Sequence, residues 1–191
     1  MDFEGPMEFE VPINQVAGLF LMDDLRSGRH APEAWRDRAS SDFWIKSVWS
    51  VLVEPSFHPS ALMVVVRSNH HYGPAWLKGV LIAPSALDPT RYELPSPVDL
   101  SNWRDPVCDC LKTTSILSPD ADIGGGLDGV GYRLCIENSP VRAEVSFSNP
   151  TNPDVMRLER SFLSAAATIA GLQKDQASAS FLTVWREYAG R

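Results

Sequence analysis

The sequence predicts an α+β fold: a mainly antiparallel sheet packed on one face by carboxy-terminal helices. Three observations predict it. Three short runs rich in β-branched and aromatic residues follow one another with no helical segment between them. Farther along, two segments alternate apolar and polar residues across a short turn, the pattern of a hairpin with one buried face. A long amphipathic stretch with a capped start comes after the hairpin.

The three runs are "SVWSVLVE" (Ser47–Glu54), "ALMVVVR" (Ala61–Arg67) and "AWLKGVLIA" (Ala75–Ala83), each bounded by Pro, Gly, Ser or Asn. Their close spacing suits an antiparallel meander, because parallel strands need long crossovers. In the hairpin, Val130, Tyr132, Leu134 and Ile136 share one face, and Val141, Ala143, Val145 and Phe147 share the matching one, with Glu137 to Pro140 as the turn. Asn152 then caps a helix expected over Pro153–Leu172, with Pro153 at its first position and Asp154 at its positive end. Val155, Leu158, Phe162, Ala166 and Ile169 form its apolar stripe, and Gly171 marks the expected stop. A last helix over Ala177–Tyr188 carries Phe181, Val184, Trp185 and Tyr188.

Upstream, Phe9–Leu25 reads as a short strand followed by a loop or helical turn. Ser27–Ser40 reads as a short surface helix with Pro32 at its first position. From Pro84 to Asp122 the pattern decays into Pro, Ser and Asp. A domain linker is one reading; a surface excursion pinned by Trp103 and Leu111 is the other. Neither side is large enough to stand alone, so residues 1–191 are expected to form one domain.

Composition narrows the function. The chain has 191 residues, 44% hydrophobic and 21% charged, the balance of a globular protein. Fifteen prolines exclude an all-helical bundle. Six tryptophans point to a core or contact surface built from large rings. The net charge of -7, with no basic run, argues against direct nucleic-acid binding, which needs clustered Lys and Arg. An acidic surface instead steers basic partners. Three cysteines suit a reducing compartment. The acidic start "MDFEGPMEFE" lacks a leader pattern, and no apolar run is long enough to span a bilayer, so a cytoplasmic location without membrane contact is expected.

The nine residues "GGGLDGVGY" (Gly124–Tyr132) imitate a phosphate-binding loop. The imitation fails because such a loop aims backbone N–H groups and a helix start at the anion, whereas these glycines run into a strand. Asp122 and Asp128 would also repel phosphate. His70 and His71 are neighbours, so on a strand they point to opposite faces and cannot share one metal ion. Cys108 and Cys110 are a single tight pair, short of a zinc cluster, and Cys135 falls on the first hairpin strand. No serine stands in a nucleophile elbow. The expectation is therefore no catalytic residue, no metal and no cofactor. A contact face is expected instead, made of the acidic loops at Asp23, Asp24, Asp120 and Asp122 and the ring-bearing loop with His70, His71, Tyr72 and Trp76.

Leu127, Asp128, Gly129, Tyr132, Asn149, Pro150 and Leu158, with Phe147 near the end of the second hairpin strand, form a pattern with a family likeness. It resembles uncharacterised bacterial proteins, some of them regarded as immunity proteins of contact-dependent or type VI secreted toxins. The likeness covers about a quarter of the chain, and its motif is structural in character; the first 120 residues take no part in it. The resemblance implies a non-enzymatic antitoxin that binds one cognate toxin domain, with a basic nuclease as the toxin that the acidic charge would suit. Two alternatives stay open. One is a small hydrolase-like enzyme using His70 or His71 with a carboxylate such as Asp120. The other is a non-catalytic adaptor.

Overall fold

The computed structural model describes residues 7–9, 43–70, 77–85, 87–88, 92–114, 129–138 and 141–189. Its main sheet is built from β2 (Phe43–Pro55), β3 (Ala61–His70), β4 (Leu77–Ile82), β6 (Val98–Asp99), β7 (Val130–Asn138) and β8 (Val141–Ser148). The strand order is β6-β4-β3-β2-β7-β8, and every neighbouring pair is antiparallel. Two further strands, β1 (Met7–Phe9) and β5 (Tyr92–Leu94), pair separately. The helices among the described residues are α1 (Pro106–Leu111), α2 (Pro153–Gln173) and α3 (Gln176–Tyr188). The α+β class expected from the sequence is the class observed.

Register explains which residues the helices cover. Trp49, Val51 and Val53 on β2 lie opposite Val65, Met63 and Ala61 on β3, and opposite Ile136, Leu134 and Tyr132 on β7. These residues join the stripe of α2 and the inner residues of α3 in one apolar core. The reverse face of the central strands is buried as well. Val48, Leu52, Leu62, Val64, Val66, Val80 and Ile82 are each no more than 2% exposed. Two buried faces are why "ALMVVV" is unbroken apolar sequence, where a half-buried strand would alternate. On β7 and β8 the reverse face instead carries Arg133, Glu144 and Ser146, all exposed, and there the alternation is clean.

The hairpin is tighter than expected. β7 runs on through Asn138, which pairs with Val141, so only Ser139 and Pro140 connect the strands. α2 begins as its sequence dictates: the Asn152 side chain accepts from the backbone N–H groups of Asp154 (2.9 Å) and Val155 (3.4 Å). Its stop differs. Gly171 remains helical with open space around it, and the left-handed turn falls on Lys174 at φ 59°. The helix runs one residue past the expected Leu172, and there the Gln173 amide bonds both backbone groups of Leu81, accepting at 3.0 Å and donating at 3.3 Å. Ser178 Oγ donates to the same carbonyl at 3.2 Å. The Asp175 side chain starts α3 by accepting from Ser178 N–H, and Phe181, Leu182 and Trp185 face inward; Leu182 takes the place expected of the half-exposed Val184.

Close approach of α2 to the sheet depends on Gly79. A Cβ there would lie 2.6 Å from Leu100 Cδ1 and 2.9 Å from Ile169 Cδ1. The surface excursion also has structure: α1 sits in it, with Trp103 and Leu111 packed on the core as expected. Asp105 accepts from the N–H groups of Val107 and Cys108 through one oxygen and from Trp49 Nε1 (2.8 Å) through the other. One buried carboxylate thus caps α1 and ties it to β2.

Phe162 is fully buried, stacked near Phe147 at 6.4 Å and tilted against Tyr132 at 5.9 Å. Phe162→Ala should destabilise the fold by about 3–5 kcal/mol. Urea denaturation would read this as a lower midpoint with an unchanged slope.

Candidate functional site

Most of the expected contact face falls outside the described residues: Asp23, Asp24, His71, Tyr72, Trp76, Asp120 and Asp122. His70 closes β3, where its backbone pairs with Phe43, but its side chain is also outside them. His58 is described, in the turn between β2 and β3, with its ring edge-on to Tyr188 at 5.5 Å.

Cys108, Cys110 and Cys135 take part in no disulfide. Burial, then the neighbouring Asp105 carboxylate, pushes the Cys108 thiol up to about 12, so it stays protonated and a poor nucleophile at neutral pH. Among the described residues, no group of three His, Cys, Asp or Glu side chains could hold a metal ion. No helix among them is long and apolar enough to cross a membrane.

Gly129, Asn149 and Ser56 meet at one end of β7. Gly129 has φ +134°, and a Cβ on it would lie 1.6 Å from Asn149 Oδ1. That oxygen accepts from Val130 N–H at 2.9 Å, while Asn149 N–H donates to Val130 O at 3.1 Å. Asn149 itself is left-handed at φ 45°, a conformation its short amide side chain tolerates. The β2–β3 turn closes on the same point, since Ser56 N–H donates to Gly129 O and Gly129 N–H donates to Ser56 Oγ. Gly129, Asn149 and Ser56 form a clasp at the entrance to the hairpin, and the glycine-rich segment ends by feeding a strand, as its sequence implies.

Two residues beyond Val130, Tyr132 is buried among Phe147, Phe162 and Trp185. Its hydroxyl donates to Glu159 Oε1 at 2.6 Å and accepts from Trp185 Nε1 at 2.9 Å. Burial raises the carboxyl of Glu159 above its ordinary range, against the lowering effect of the Tyr132 hydrogen bond. Burial first, and the adjacent Glu159, raise the phenol of Tyr132 far above its own. This trio has acid–base groups at hydrogen-bond distance, but it is sealed inside the core, where it orders the packing.

An open concavity lies between α1 and the start of α2, a groove of about 370 Å³ lined by Arg104, Pro106, Asp109, Cys110, Arg157 and Ser161. Its charges are engaged locally: Arg104 and Lys112 both pair with Asp109, and Arg157 pairs with Asp154. Hydrogen bonds from Lys112 and Arg104 hold the Asp109 carboxyl below its usual value. Sequence reasoning missed this groove and the Asp105 anchor. The signal for α1 was present in Asp105-Pro106, the same cap-then-proline order that starts α2 at Asn152-Pro153.

Gly129→Ala combines a disfavoured φ with a clash against Asn149 and should cost roughly 2 kcal/mol or more, read as a lower thermal midpoint. Glu159 gives a test with a definite sign. An acid whose folded pKa is raised binds its proton more tightly when folded. Its contribution to stability is therefore complete below its ordinary value of 4.5 and is lost as pH rises through the folded value. Glu159→Gln keeps an acceptor for Tyr132 and removes this titration. The variant should melt higher than the wild type at pH 7, and that margin should shrink towards pH 4. No family model matches the chain, and no curated protein or solved structure matches it.

Proposed function

We propose that this chain is an immunity protein, a cytoplasmic antitoxin that binds one cognate secreted toxin domain and blocks it by occupying its surface. The observation that carries the reading is the net charge of -7. It belongs to a chain whose buried polar side chains at Trp49, Asp105, Tyr132, Glu159 and Trp185 are turned towards one another. Groups satisfied in this way hold a scaffold and leave recognition to the surface. A surface with an acidic excess attracts a basic enzyme and accelerates its capture.

The family likeness supports the same reading from a separate direction. Its described members, Gly129, Tyr132, Asn149 and Leu158, are occupied in the clasp and the core, and an inhibitor needs only such a scaffold. The partner is accordingly a basic toxin domain, with a nuclease as the type that the charge suits best, in the absence of any direct contact with nucleic acid.

Co-expression with the product of the adjacent gene tests the proposal. That product should arrest growth alone, lose its toxicity in the presence of this chain, and co-purify with it. The association rate should fall about tenfold or more as ionic strength rises from low to physiological values. A neighbour that is harmless alone, or that still kills beside the folded chain, would sink the reading.

A further inference from the structure

The four residues Pro55–His58 turn the chain from β2 into β3, closed by His58 N–H donating to Pro55 O at 3.2 Å. The third of them, Phe57, adopts φ 63° and is 86% exposed. Position three of a turn with positive φ ordinarily selects Gly or Asn, because a Cβ crowds the following carbonyl there. A phenylalanine at this place carries two penalties at once: a disfavoured backbone conformation and a large apolar ring held in water. Folding gives no return on either, since the ring reaches no core residue. Strain retained without a folding benefit is a mark of a functional position.

The backbone on either side of the ring is tied down. Ser56, beside it, is bonded to Gly129 in both directions, by Ser56 N–H to Gly129 O at 2.8 Å and by Gly129 N–H to Ser56 Oγ at 3.1 Å. On its other side His58 packs edge-on against Tyr188 at the end of α3. Phe57 is therefore an aromatic knob on a braced turn, and a turn whose backbone is already ordered loses little further backbone freedom when a partner closes over it. Aromatic anchors of this kind supply much of the affinity in protein interfaces.

We propose that Phe57, flanked by His58 and Tyr188, is the anchor by which this chain docks into an apolar socket on a basic protein. The net charge of -7 selects a basic partner over an anionic membrane surface or an acidic protein. The proposal rests on the immunity reading and names the end of the molecule that makes the contact: the β2–β3 turn together with the last turn of α3.

Phe57→Asn separates binding from folding, because asparagine tolerates the left-handed turn. The variant should melt no lower than the wild type, and Phe57→Gly should behave the same way. Calorimetric titration with the purified product of the adjacent gene should give at least 30-fold weaker binding for Phe57→Asn. Phe57→Trp should stay within about threefold of the wild type, since an exposed ring at the same place can fill the same socket. Wild-type binding with Phe57→Asn within threefold of it overturns the anchor and leaves the immunity reading standing. Failure of the wild type itself to bind or neutralise that product overturns both. Phe57-dependent sedimentation with vesicles of mixed neutral and anionic lipid, with no Phe57 effect on the protein partner, also overturns it in favour of a membrane contact.

Discussion

The hydroxyl of Tyr132 lies where three elements must arrive together: β7, which carries it, α2, which brings Glu159, and α3, which brings Trp185. A buried phenol, carboxyl or indole left without a partner costs on the order of 1–3 kcal/mol, so no element can rotate or slide without stranding a polar group. Apolar packing alone tolerates such slippage far better, because one hydrophobic contact substitutes for another. Phe147 stacks on the same phenol ring and Phe162 tilts against it, so the least forgiving point of the core is also densely aromatic. The Trp49–Asp105 bond does the same work between β2 and α1. With the bonds of Gln173 and Ser178 to Leu81, these polar links between sheet and helices define a register that the apolar stripe of α2 would leave loose.

The clasp at Gly129 and Asn149 stands directly upstream of that phenol and fixes how β7 enters the sheet. A shift of one residue at Val130 would turn Tyr132 to the opposite face. Gly129, Asn149 and Tyr132 are therefore three parts of one solution to one packing problem. Recognition needs different residues, placed where the scaffold does not depend on them. The β2–β3 turn meets that description, being joined to the clasp by backbone bonds while its central side chain points away from the core.

Periodicity made the large elements legible. The stripe from Val155 to Ile169 and the cap at Asn152 specify α2 almost to the residue, and the alternation from Val130 to Phe147 specifies the hairpin. Both signals come from water on one side of an element and core on the other. Features set by contacts distant in sequence left no such trace. The helix ends at Lys174 because Gln173 is held by Leu81, 92 residues earlier, which no local rule for Gly171 could foresee. α1 is too short to show a period, and only its Asp-Pro start was available to read. Asp23, Asp24, Asp120 and Asp122 stand out in the sequence by charge alone, a property that assigns no position in the fold. Phe57 carries no signal at all, as a single exposed ring in a turn belongs to no pattern.

Leu77, Gly79 and Leu81 direct their backbone groups to the same side of β4, yet β6 pairs only with Lys78 and Gly79. Where that strand ends, Gln173 and Ser178 finish the row by bonding Leu81. Side chains from the far end of the chain stand in for a strand. During synthesis the meander of β2, β3 and β4 emerges roughly ninety residues ahead of the groups that seal it. Throughout that interval the growing polypeptide presents an unpaired rim to which any other extended chain could add. The final helices thus cover the exposed end of the β4 rim only once translation has delivered them.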